Sequence, residues 1–281
     1  MLWVLAAMFL FVCLDTNSKY LAQTLPIPQV VWARFMFHFV LVALLLRGRL
    51  LPTIKSRAPG LQLVRSALLA TTTGLFVWAL SLIQLAEAST IMFLSPILVT
   101  ALAAPLLGEH VGLRRWIGVG AGFLGAMIII RPGFGVFAFA ALPPLAAALT
   151  NALYQLSTRR VADSDSPMTS FAIAPLFGTA LMTVIVPFYW VEPSLTEWVL
   201  MVTIGLFGAI SHYCLIRAFD AAPASAIIPF GYTTLIWAVG IGFLVFGELP
   251  DIWTFVGAGV IISSGLYIFH RERVTRDQQT T

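Results

Sequence analysis

Charge is what this sequence has least of. Of 281 residues, 16 are Lys or Arg and 12 are Asp or Glu, together 10%, while 59% are hydrophobic. Soluble domains carry about 25% charge, so this scarcity excludes a soluble globular domain. Cysteine is scarce too: Cys13 and Cys214 both fall inside apolar runs, where they read as small buried hydrophobes and not as a disulfide or metal framework. Long polar segments are missing as well. The longest connection among the base-rich loops, roughly residues 48 to 62, is too short to fold as a domain that could host chemistry. Residues 1 to 22 show no basic leader region and no small-residue cleavage site, which reads as a retained first span.

What is there is long and apolar. Seven stretches carry no charge, namely 66 to 86, 88 to 108, 132 to 158, 166 to 191, 198 to 216, 221 to 247 and 252 to 270. A helix needs about 20 residues to cross the hydrocarbon layer. Three further spans carry some charge: 2 to 22 with Asp15 and Lys19, 29 to 47 with Arg34, and 112 to 131 with Arg114 and Arg115 at one end. Outer-membrane barrels show ten-residue alternating segments instead. The expected fold is therefore an all-α integral membrane protein of ten transmembrane helices.

The bases report orientation. Assigned alternately, one set of loops takes Arg47, Arg49, Lys55, Arg57, Arg65, Arg114, Arg115, Arg159, Arg160, Arg217, Arg271, Arg273 and Arg276. The positive-inside rule puts that side, and with it both termini, in the cytoplasm. The net charge of +4 thus reflects topology, and no nucleic-acid partner is expected.

Two phrases repeat. Gly108-Glu109 leads to Gly118 and Gly120, and Gly247-Glu248 leads to Gly257 and Gly259, but the first copy lies among bases and the second beside Asp251. Five spans separate equivalent points, so the halves are inverted relative to each other. "TNSKYLAQ" at 16 to 23 echoes "TNALYQLS" at 150 to 157, and "LAEASTIMFLSP" at 85 to 96 echoes "DAAPASAIIPFGY" at 220 to 232; this second pairing requires a three-residue insertion between Ser225 and Glu248. The division expected is 1–133, 134–270 and a cytoplasmic tail at 271–281. Inverted repeats are a signature of transporters.

The five-helix halves, each ending in "GE" and a Gly-rich last helix ("LLGEHVGLRRWIGVGAGFLG" and "VFGELPDIWTFVGAGV"), resemble the EamA domains of the drug/metabolite transporter superfamily. The resemblance covers nearly the whole chain and includes YddG-like amino acid exporters. It implies a bacterial inner-membrane transporter, a monomer or homodimer in the lipid bilayer, exporting aromatic and other neutral amino acids by alternating access. The alternative it leaves open is uptake of riboflavin or S-adenosylmethionine.

Polar residues within spans are the candidates for substrate contact. Asn17 and Asn151 match in the repeat, and a neutral amide offers donors and an acceptor without charge; interhelical bonding is the competing role. Tyr154 and Gln155 extend the Asn151 face at i+3 and i+4. His212 and Tyr213 lie mid-span, and His212, like His38, can titrate near neutrality. Phe93, Tyr232, Trp78 and Trp237 supply aromatic surface away from the interfacial belt. A central cavity among the first, third, fourth, sixth, eighth and ninth spans is expected, with the fifth and tenth packing peripherally through their glycines. Asp15 and Lys19, spaced i,i+4, suit a local ion pair, and Arg34 is expected to snorkel to the outer surface. Glu87, Glu109, Asp220 and Glu248 read as span-end anchors. "GAGFLG" at 120 to 125 lies within a span and not after a strand, which argues against a dinucleotide site. No cofactor, metal site or catalytic residue is expected, and no enzyme.

Overall fold

The computed structural model describes residues 1–108, 112–131, 137–222 and 224–280; the side chains at 107, 137, 138, 224, 225, 228 and 272–280 also lie outside the description. Regular structure among the described residues is helical: α1 (Leu2–Leu21), α2 (Ile27–Leu46), α3 (Leu50–Thr53), α4 (Pro59–Leu82), α5 (Leu85–Met92), α6 (Leu94–Leu107), α7 (Leu113–Ile130), α8 (Phe137–Ala140), α9 (Leu142–Val161), α10 (Pro167–Ile185), α11 (Leu195–Ala221), α12 (Ala224–Gly231), α13 (Thr233–Phe246) and α14 (Ile252–Thr280). Nine helices among the described residues are long and apolar enough to cross a membrane. The remaining span, α9, is as long as α1 but carries Thr150, Tyr154, Gln155 and Thr158. These polar side chains bond to Thr72, Arg65 and Ser95 on α4 and α6, which is how a less apolar helix is kept in hydrocarbon. The architecture is thus ten transmembrane helices in two inverted five-helix repeats. The final helix runs on past Arg271 to Thr280.

The fourth and ninth spans are each broken at the same place. An eight-residue helix (α5, α12) is followed by a single break residue (Phe93, Tyr232) and a fourteen-residue helix (α6, α13). Each long piece ends on a glycine in the left-handed region, Gly108 at φ 70° and Gly247 at φ 68°, where a side chain is disfavoured. Leu85 and Ala224, Phe93 and Tyr232, and Gly108 and Gly247 stand at one constant offset. This register corrects the sequence alignment: no three-residue insertion falls between Ser225 and Glu248, and because Leu2–Leu21 stands against Leu142–Val161 at almost the same offset, Asn17 and Asn151 are not at equivalent places in the repeat.

Packing repeats with the same symmetry. α1 lies along α11, its counterpart α9 lies along α4, and α7 pairs with α14 across the pseudo-two-fold axis. At that last contact Gly125 and Gly257 face each other. A Cβ on Gly257 would meet the Gly125 carbonyl and Ile129, whereas Gly259, in the same motif, faces open space. Half of the Gly-x-Gly spelling is therefore packing surface and half is not.

Gly257→Ala is expected to cost about 1–3 kcal/mol through overpacking, read as a lower midpoint of thermal unfolding in detergent. Gly259→Ala should leave that midpoint unchanged or raise it.

Candidate functional site

The two faces of the bundle differ. On the base-poor face, four contacts staple one half to the other. Lys19 Nζ lies 2.6 Å from Glu248 Oε1 and donates to the Ile83 carbonyl at 2.7 Å. Glu248 Oε2 in turn accepts from the Leu85 backbone N–H at 3.1 Å, satisfying an orphan donor at the start of α5. Arg131 pairs with Asp251, Thr24 donates to Glu197 at 2.5 Å, and Gln29 exchanges two hydrogen bonds with the Val191 backbone.

These contacts correct two expectations. Lys19 reaches across to the other half instead of pairing with Asp15, because its α1 position leaves it 6% exposed beside the 247–251 turn. Asp15 pairs instead with Arg34, Nη1 to Oδ1 at 3.1 Å, so Arg34 turns inward and does not snorkel. Glu248 acts as an anchor and Glu87 closes a capping box with Gln84; Glu109 lies outside the described residues.

Toward the base-rich face two chambers open between the halves. The inner one, about 40 Å³, is lined by Arg34, His38, Arg65, Thr73, Tyr154, Ser170, Phe171 and His212. The outer one, about 230 Å³, shares Arg65, Tyr154, Ser170, Phe171 and His212 and continues past Thr158 to Asp165, Pro167 and Phe219 at the helix ends. This described cavity draws on α2, α4, α9, α10 and α11, that is on the second, third, sixth, seventh and eighth spans. Of the expected spans, the third, sixth and eighth take part in it.

Arg65 stands at the junction of the chambers. It is 5% exposed and donates to Thr158 Oγ1 at 2.9 Å, Tyr154 Oη at 2.8 Å and the Ser170 carbonyl at 3.4 Å, with its guanidinium over the Tyr154 ring. His38 packs against Phe171 and lies 5.5 Å from His212, ring centre to ring centre. His212 Nδ1 contacts the Gly208 carbonyl at 2.8 Å and its ring meets the edge of Phe11. At the mouth, Asp165 accepts from Ser56, Gln62 and the Arg57 amide. Partial burial pushes its carboxyl up, but those hydrogen bonds and the Arg57 charge outweigh it and hold the group below the usual carboxylate range.

Of the residues singled out from sequence, the structure brings Tyr154 and His212 into this cavity. Asn17 donates to Thr203 on α11 at 3.1 Å, and Gln155 to Ser95 on α6 at 2.9 Å. Asn151 is half-buried on α9. Phe93 and Tyr232, the two break residues, meet edge to face at 5.1 Å. Trp78, Tyr213 and Trp237 are 46%, 38% and 36% exposed and do not line either chamber. Arg65 was counted among the loop bases, yet it sits in α4 on an inward stripe with Gln62, Ser66 and Thr73, all buried. That helical spacing of polar residues in "PGLQLVRSALLATTTG" was the available signal.

A model of the EamA-like transporter family matches twice, at residues 1–131 and 137–269. The chain belongs to that family. Curated relatives of this EamA-like transporter cover nearly all of it. They include a riboflavin transporter of Vibrio cholerae serotype O1, 28% identical over 95% of this chain and 91% of its own length. An S-adenosylmethionine uptake transporter of Rickettsia bellii is 27% identical over 96% and 93%. The pseudopaline exporter CntI of Pseudomonas aeruginosa is 28% identical over 91% and 90%. A solved crystal structure, 18% identical, superposes with a TM-score of 0.66 over 95% of this chain and 94% of its own, a likeness of fold.

Two measurements check these contacts. Lys19→Met and Glu248→Leu should each cost about 3 kcal/mol by stranding the partner charge, and the double variant less than the sum of the two, read from unfolding midpoints in a double-mutant cycle. Because the folded Asp165 carboxyl is more acidic than the unfolded one, its contribution is complete above the unfolded value of about 3.9 and is lost as pH falls through the folded value. The unfolding midpoint should therefore fall more steeply below about pH 4 in the native chain than in Asp165→Asn.

Proposed function

We propose that this EamA-like transporter is an alternating-access carrier of small polar metabolites in a bacterial inner membrane, with the base-rich loops and both termini in the cytoplasm. One observation carries the reading: a cavity between the two halves opens toward the base-rich face while the opposite face is stapled by Lys19–Glu248, Arg131–Asp251, Thr24–Glu197 and Gln29–Val191. Two like halves of opposite orientation make this state and its mirror close in energy. Movement from one to the other releases the staples and closes the walls around Arg65 and Phe171.

Neutral amino acids are the proposed cargo and export the proposed direction. The cavity has the mixed character such cargo needs, with Phe171 and Phe219 for an apolar side chain and Tyr154, Ser170 and His212 for polar groups. The repeat boundaries are proposed at 1–133 and 134–270. Uptake of riboflavin or S-adenosylmethionine is the second reading, favoured by the names of the relatives above. A catalytic role draws no support from these relatives, all of them transporters.

Proteoliposomes preloaded with unlabelled compound should accumulate labelled phenylalanine or threonine by counterflow. Exchange of riboflavin or S-adenosylmethionine with no amino-acid signal overturns the cargo and favours the second reading. No exchange of any of the four overturns the carrier reading.

A further inference from the structure

Arg65 presents an electrostatic imbalance. The residue is 5% exposed inside a span, and its hydrogen-bond partners are a hydroxyl, a phenol and a carbonyl, all neutral. No carboxylate lies within ion-pair distance of it among the described residues. The other acids near the cavity are committed elsewhere: Asp15 to Arg34, and Asp165 to Ser56, Gln62 and the Arg57 amide. Arg34 and Asp15 cancel, and Asp165 belongs to the outer chamber only, so the wall of the inner chamber retains the charge of Arg65. A buried cation in hydrocarbon is costly without a counter-charge, and neutral acceptors orient a guanidinium without neutralising it.

An independent feature lies on the facing wall. His38 is 7% exposed, and its Nε2 is buried with no hydrogen-bond partner, although buried polar atoms in native structures are nearly always paired. His38 and Arg65 line the same inner chamber of about 40 Å³, room for a group the size of a few waters. The outer chamber beyond Arg65 is several times larger. A ligand with an anionic head and a bulkier body matches that division.

We propose that the inner chamber is the site for the anionic group of the cargo, a carboxylate or a phosphate, held by Arg65 with His38 Nε2 as a second partner. This deepens the carrier reading and rests on it for the word cargo. The planar guanidinium suits either oxyanion, while Tyr154 and Thr158 fix its orientation from below. Arg34, already paired with Asp15, adds direction and little net charge. Cargo lacking an anionic group would leave Arg65 buried and unpaired, which makes the site selective by exclusion.

The test uses the full chain in detergent, followed by thermal unfolding in sodium acetate, sodium phosphate or sodium chloride at equal ionic strength. Acetate or phosphate should raise the midpoint saturably above the chloride control. A larger response to acetate assigns a carboxylate head, and a larger response to phosphate assigns a phosphate. Arg65→Gln should weaken the apparent affinity at least tenfold. Should that variant fail to fold, Arg65→Lys and His38→Gln, which keep the charge and the polarity respectively, should each weaken it at least threefold. Absence of a saturable shift in the native chain, or an affinity unchanged in the variants, overturns the proposal. In counterflow, phenylalanine should compete at least tenfold better than phenylalaninamide. An anion shift without any transport sinks the carrier reading and leaves the anion site standing; transport in which acid and amide compete equally, with no anion shift, does the reverse.

Discussion

Charge inside hydrocarbon must find a partner within the protein, and here that constraint determines how the helices are joined. Lys19 cannot reach water from its buried place on α1, so it takes Glu248 from the far half. Glu248, held there, becomes available to the first amide of α5. A single ion pair thereby links the first span, the turn between the third and fourth, and the turn between the ninth and tenth. Arg34 and Asp15 satisfy each other between neighbouring helices. Arg65 is held across the seam by neutral oxygens, and the cavity forms around it.

The broken spans follow from the same economy of polar groups. A transmembrane helix that stops at Phe93 or Tyr232 frees backbone amides and carbonyls that lipid cannot satisfy, so the breaks lie in the protein interior. There the two break residues, one from each half, contact each other edge to face. Behind them α7 and α14 close tightly through Gly125 and Gly257. The result is a close-packed pair at the pseudo-symmetry axis and, between α2, α4, α9, α10 and α11, walls that differ at the two faces.

Much of this was legible beforehand. Run length fixed the number of spans, and the sign of the charges around the two Gly-Glu phrases fixed the inversion of the halves. The glycines of the last helix in each half marked packing surfaces, although neither that these two helices pack on each other nor which glycines face inward was evident: Gly118 and Gly257 pack while Gly120 and Gly259 do not. The site was harder to read. Tyr154 and His212 could be chosen because polar residues in mid-span stand out, but Arg65 lay one turn and a half from a loop full of bases and was read as one of them. Trp78 and Trp237 share the mid-span positions of cavity residues, yet they stand on exposed faces, because indole suits lipid and cavity equally.

Sequence by itself determined the solvent of this protein, its helix count, the duplication and the opposed orientation of the two copies. These depend on hydrophobicity and charge summed over twenty residues, which no neighbour can alter. Only the tertiary structure decided the partners. Whether Lys19 meets Asp15 four residues away or Glu248 in the other half, and whether Arg34 turns to water or to Asp15, depends on which helix faces stand opposite. That is set by how spans pack, neighbouring ones for Arg34 and ones in opposite halves for Lys19, and spacing within one helix carries no record of it.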